Sequence, residues 1–147
     1  MARLSTNGIA EICLDLEELD DSTDELMKEM LVAEAEVVQE AQKKTAKSMG
    51  VYDSSGRNVG GHVADSITVS KKTRKNADGM VQYVYPKGNR RRKNTTSSNS
   101  EIAFINEFGK KGQPPRPFIR TANEASAQAA VEAAEKVYDK FLKSKNL

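Results

Sequence analysis

The chain has 147 residues, 37% of them apolar and 5% aromatic, with a formal charge of +2, one cysteine and one histidine. That length suits one domain spanning residues 1–147 with a small, alanine-rich core, and a lone Cys13 and His62 exclude an internal disulfide and a Cys/His metal site built from one copy. No apolar run approaches the roughly 20 residues of a membrane span or reads as a secretory signal, so a soluble protein made in the cytoplasm, with no membrane contact, is expected.

Residues 8–19 read as a short strand, because Ile12, Leu14 and Leu16 alternate with Cys13, Asp15 and Glu17. Cys13 is then a small strand residue. Ser22 and Glu25 have capping-box spacing, which predicts the start of a long helix over about 24–49. Leu26, Met30, Ala33, Val37 and Ala41 follow its 3.6-residue repeat, and Gly50 is its stop.

The polar, glycine-rich stretch 51–61 reads as a surface loop. Ile67 and Val69, then Val81, Tyr83 and Tyr85, alternate with polar neighbours across Asn76-Ala77-Asp78-Gly79, which predicts a hairpin with both tyrosines on one face. Residues 87–100 hold five cations followed by a Ser/Thr/Asn run without an apolar residue, and are expected to form a mobile basic loop.

The segment from Glu101 to Ala122 concentrates aromatics, turn formers and prolines. Phe104, Ile105 and Phe108 suit a short helical turn packed on the core, and Gly109 is the left-handed residue that ends it. Pro114, Pro115 and Pro117 stiffen the connector, which ends in Phe118 and Ile119. A last helix over about 121–143 follows, with Thr121 and Glu124 at capping-box spacing and Ala125, Ala129, Ala133, Val137 and Phe141 near one face. Together these elements predict an α+β fold in which a small, mainly antiparallel sheet packs against a long N-terminal helix and a C-terminal helix.

Little in the chain points to catalysis. The carboxylates Asp15, Glu17, Glu18, Asp20, Asp21 and Asp24 lack the spacing and glycine of a calcium loop, so they read as a solvated acidic face with no metal. His62 stands beside two glycines with no partner in the sequence pattern, and no nucleophile elbow or phosphate loop surrounds any serine. No enzyme and no cofactor is expected.

Charge is the stronger signal. Residues 1–50 carry twelve acidic and five basic side chains, and residues 51–147 nine acidic and eighteen basic, a bipolarity that suits head-to-tail contact between copies. Lys87, Arg90, Arg91, Arg92 and Lys93 read either as a solvated or protein-contacting loop or as a phosphate contact without base readout. The alternative reading of the whole chain, a small nucleic-acid-binding accessory protein, rests on this run.

The order Glu107-Phe108-Gly109, a short basic loop, Arg116-Pro117-Phe118 and an alanine-rich helix resembles the head-tail joining and tail-completion proteins of long-tailed bacteriophages, the gene-product-ten-like family of HK-type phages. An upstream glycine-led turn, Gly60 to Ile67 with Asp65 and Ser66, fits the same pattern, and the resemblance spans about Leu26 to Leu142. It implies a non-enzymatic virion protein of the neck or tail, made in the host bacterial cytoplasm. It also implies a ring, hexameric in the virion, that meets head connector, stopper and tail-tube proteins and passes DNA through its lumen. Phe104, Glu107, Phe108, Gly109, Arg116, Pro117 and Phe118 are the expected interface and packing anchors, with Arg116 an interface or loop-fixing cation.

Overall fold

No glycine or proline occurs between Ile9 and Met49, and helix propagates through the whole stretch, so that α1 runs Asn7–Ser48. The computed structural model describes residues 7–51, 63–77, 79–92 and 95–145, and side chains over 22–51, 63–77, 79–90 and 95–145. Two expectations are corrected here: residues 8–19 are helical, and Ser22 does not start a helix. Ile9, Ile12, Leu16 and Leu19 also recur at helical spacing, a longer-range pattern than the period-two run, and Ser22 and Thr23 inside a helix cost only about 0.5 kcal/mol each. The side chain of Cys13 and the whole of His62 lie outside the described residues.

At its other end α1 stops where the sequence predicts. Gly50 has φ +68°, the Gly50 N–H donates to the Lys47 carbonyl at 3.1 Å and the Val51 N–H to that of Ala46 at 2.8 Å. The loop predicted over 51–61 lies outside the described residues beyond Val51. A one-turn helix α2, Val63–Ser66, then replaces the start of the first predicted strand.

The hairpin forms in two pieces. β1 (Ile67–Val69) pairs antiparallel with β4 (Val84–Pro86), and β2 (Arg74–Asn76) with β3 (Gly79–Val81). Four residues, Ser70 to Thr73, separate the two ladders on one side and only Gln82 and Tyr83 on the other, so the first strand bulges. Gln82 fills the break: its Nε2 donates to the Ser70 carbonyl at 2.6 Å and its Oε1 accepts from Thr73 Oγ1 at 2.8 Å. Tyr83 and Tyr85 are both exposed, and the Arg74 guanidinium lies 5.7 Å from the Tyr83 ring centre.

Residues 89–98 are the third correction, because the expected basic loop is a second hairpin. β5 (Asn89–Arg92) and β6 (Thr95–Ser98) pair antiparallel, with Arg90 opposite Ser97 and Arg92 opposite Thr95. Threonine and serine supply little apolar area, but the backbone ladder and the helix that follows hold them. That helix, α3, is Asn99–Phe108, and Ser98 caps it by accepting the Glu101 N–H at 3.0 Å. Fully buried Asn99 ties the hairpin down, its Nδ2 donating to the Lys87 carbonyl at 2.8 Å and its N–H to that of Gly88 at 2.9 Å.

The last helix, α4, is Phe118–Ser144 and packs antiparallel along α1. Gln42 Nε2 donates to Asn123 Oδ1 at 2.9 Å. Seven residues on from each, Ala35 and Ala130 stand at the same level, both buried, where small side chains let the axes approach. The buried stripe is Phe118, Ala122, Ser126, Ala130 and Ala134. This corrects the predicted face, since Ala125 and Ala129 are exposed and Ala133, Val137 and Phe141 are half-buried at its edge. Thr121 does not cap the helix either, because it begins three residues earlier.

The α+β architecture is the expected one. Its main core gathers at the end where α1 stops and α4 starts, from Ala46, Val51, Val63, Ala64, Ile67, Ala103 and Phe118.

Candidate interface around the third helix

α3 presents different faces to different parts of the molecule, and its composition decides which. Asn99, Ala103, Asn106 and Glu107 form the buried face. Ala103 allows close approach, while Asn106 and Glu107 are drawn inward by backbone groups that need partners. Asn106 Nδ2 donates to the Ile102 carbonyl at 2.8 Å, and the Arg116 N–H donates to the Asn106 carbonyl.

Glu107 does more, because it caps another helix. Its Oε2 accepts from the Ile119 N–H at 2.8 Å and its Oε1 from the Arg120 N–H at 3.0 Å. The N-cap position of α4 is Pro117, which has no side-chain acceptor, and no acidic residue stands in the first turn. A carboxylate from α3 therefore supplies both the acceptors and the negative charge that a helix N-terminus favours. The Phe118 N–H donates to the Arg116 carbonyl at 2.8 Å and the Thr121 N–H to the Pro117 carbonyl at 3.1 Å, so all four leading amides are paired.

The connector between α3 and α4 is fixed at both ends. Gly109 has φ +78°, and a Cβ there would sit 2.9 Å from both the Gln113 carbonyl oxygen and the Pro115 nitrogen. Lys110 and Gln113 exchange backbone hydrogen bonds at 3.0 and 2.9 Å, closing a tight turn through Gly112. Arg116 Nη1 donates to the Gly50 carbonyl at 2.9 Å and so fastens the connector to the end of α1. Phe118 follows with no exposed surface.

Phe104 and Phe108 are placed differently from the sequence reading, which packs them on the core. They are 62% and 59% exposed, with ring centres 4.7 Å apart. One residue is about 100° of helix rotation, so once Ala103 and Glu107 face inward, their successors are carried outward. The result is an aromatic ledge flanked by exposed Lys110, Lys111, Pro114 and Pro115.

The basic run is dispersed. Lys87 is exposed, whereas Arg90 is only 8% exposed and faces a cleft of about 270 Å³ between the β5–β6 hairpin, α3 and the Lys110–Gln113 turn. The side chains of Arg91 and Arg92, and all of Lys93, lie outside the described residues. Glu107, Gly109, Arg116, Pro117 and Phe118 thus meet at one helix junction, while Phe104 and Phe108 face outward and the cations lie elsewhere. Sequence reading passed over the Ser98–Glu101 spacing that marks the start of α3. It also had no signal for the cap from Glu107, whose partners are twelve and thirteen residues away.

Among the described residues no three His, Cys, Asp or Glu side chains come together, and no helix is long and apolar enough to cross a membrane. The family model of the bacteriophage HK97 gp10-like tail component matches residues 10–109, from the first turns of α1 to the glycine that ends α3. That span begins earlier than the resemblance seen in the motifs and stops before Arg116-Pro117-Phe118 and α4. No curated protein and no solved structure matches the chain.

Proposed function

Because the chain belongs to the HK97 gp10-like family of bacteriophage tail components, we propose that it is a non-enzymatic structural protein that assembles as a ring at the neck or proximal tail end. In this reading residues 1–147 act as one tail-completion domain that joins tail to head, contacting the head connector or stopper on one side and the tail tube on the other. Six copies surround a lumen through which DNA passes. The coarser statement, a structural component of the phage tail located in the virion, follows from the family itself.

The observation that carries the finer reading is the Phe104–Phe108 ledge. Two stacked phenylalanines more than half exposed are an unusual surface for a chain with so little aromatic content. Covering what remains exposed would contribute about 1–2 kcal/mol per ring. The ledge also sits on a rigid mount, since Glu107 and Gly109 fix α3 against α4 and the connector. Rigid presentation keeps the ordering cost of assembly low. The acidic surplus of residues 1–50 against the basic surplus of the rest favours a contact in which unlike patches meet, the type that closes into rings.

The test is complementation of a phage lacking this gene with wild-type protein and with Phe104→Ser/Phe108→Ser. Wild type restores joined particles in electron micrographs, and the variant leaves filled heads and separate tails. Equal restoration by a folded variant would remove the ledge from the assembly.

A further inference from the structure

The cleft behind the β5–β6 hairpin has a composition that the ring reading does not use. Its described lining contains two cations, Arg90 and Lys110, two amides, Asn106 and Gln113, and the apolar walls Ile102 and Ile105, and it includes no acidic side chain. Asn106 is 9% exposed and its Oδ1 accepts from Gln113 Nε2 at 3.4 Å, which links the helix side of the cleft to the turn side. Arg90 lies deep and Lys110 stands at the open rim.

Depth decides which anion fits. A duplex phosphate rides on a broad backbone and meets cations that project from a surface, so a guanidinium 8% exposed is out of its reach. A carboxylate at the end of an apolar stem reaches it, with the stem against Ile102 and Ile105 and the head on the planar donors of Arg90. A volume of about 270 Å³ holds one such side chain and little more.

We propose that this cleft is a carboxylate receptor, filled in the assembled ring by a glutamate from α1 of a neighbouring copy. The second half of the proposal rests on the ring reading above. Charge complementarity selects the occupant: α1 lies in the acidic third of the chain, and Glu29 and Glu36 stand exposed on it two turns apart, outside the Glu25–Lys28 and Glu40–Lys43 ion pairs. The cleft shares Lys110 and Gln113 with the surface trough beside Phe108, so a copy that covers the ledge also reaches the receptor.

Butyrate, a carboxylate on a short apolar stem, is the probe for the cleft alone, added to the full chain while NMR follows the Arg90 Nε–H and the Asn106 and Gln113 side-chain amides. Saturable shifts at all three are expected, weakened about tenfold or more by Arg90→Gln and less by the rim variant Lys110→Gln, which keeps the fold intact. No saturable shift, or shifts with inorganic phosphate or a DNA oligonucleotide in place of butyrate, would overturn the receptor. Sedimentation then tests the occupant: Glu29→Gln/Glu36→Gln and Lys110→Gln should weaken self-association to a similar extent. Wild-type association in both would overturn the assignment to α1. A chain that stays monomeric yet binds butyrate at the cleft contradicts the ring and supports the carboxylate site.

Discussion

Glu107, on the last turn of α3, accepts the Ile119 backbone N–H at 2.8 Å and in doing so caps a helix to which it does not belong. The same carboxylate takes the Arg120 N–H at 3.0 Å, so one side chain fixes the angle between α3 and α4. Glu107→Ala leaves two amides short of acceptors in a nearly closed site, and a loss of about 1.5–3 kcal/mol is expected. Glu107→Gln keeps one carbonyl acceptor and should lose less. Urea unfolding measures both, as a lower midpoint at unchanged slope. A wild-type midpoint in Glu107→Ala would remove the capping role.

Gly109 and Gly112 offer a controlled comparison, because both have positive φ, +78° and +81°, but only Gly109 is crowded. Alanine at Gly112 meets nothing within 4 Å and should cost about 1 kcal/mol for the backbone conformation alone. Alanine at Gly109 adds a Cβ at 2.9 Å from two backbone atoms that cannot swing away, so it should cost clearly more, about 2–4 kcal/mol. Thermal melts of the two variants, run side by side, check the order. Equal losses would show that the connector relaxes around the added carbon.

Gln82 bridges the break between the two halves of the first hairpin through Ser70 and Thr73. Gln82→Ala removes both bonds from a half-buried site and should destabilise by about 1–2 kcal/mol. Hydrogen exchange should show the effect first at β2 and β3, the outer ladder. Uniform exchange across the chain would mean that the bulge has no separate stability.

How much of this was legible in the sequence depends on how local the cause is. The end of α1 at Gly50, the first hairpin and the turn after Gly109 follow from neighbouring residues, and they appear where the sequence places them. The start of α1 was misread because Ile12, Leu14 and Leu16 satisfy period two while Ile9, Ile12, Leu16 and Leu19 satisfy the helical repeat, and a short window favours the wrong one. The second hairpin was misread because Asn99, which holds it, lies beyond the low-complexity run. The orientation of α3 could not be read from Phe104 and Phe108 at all. Hydrophobicity turns them inward, yet the inward positions go to Glu107 and Asn106, whose partners in the connector and α4 are assembled only by the fold.

Phe118 and the Phe104–Phe108 pair should therefore behave as opposites. Phe118 has no exposed surface, and Phe118→Ala should cost about 3–5 kcal/mol in chain stability. Phe104→Ser and Phe108→Ser should leave the unfolding midpoint of the isolated chain within about 1 kcal/mol of wild type.

The most direct measurement of ring assembly through the aromatic ledge is light-scattering mass of the full chain, alone over a range of concentrations and with purified tails, for wild type and Phe104→Ser/Phe108→Ser. Wild type should gain mass as a closed multiple of the monomer or join the tails, while the equally stable variant stays monomeric and unattached. A variant that assembles and binds tails as wild type does would contradict the account.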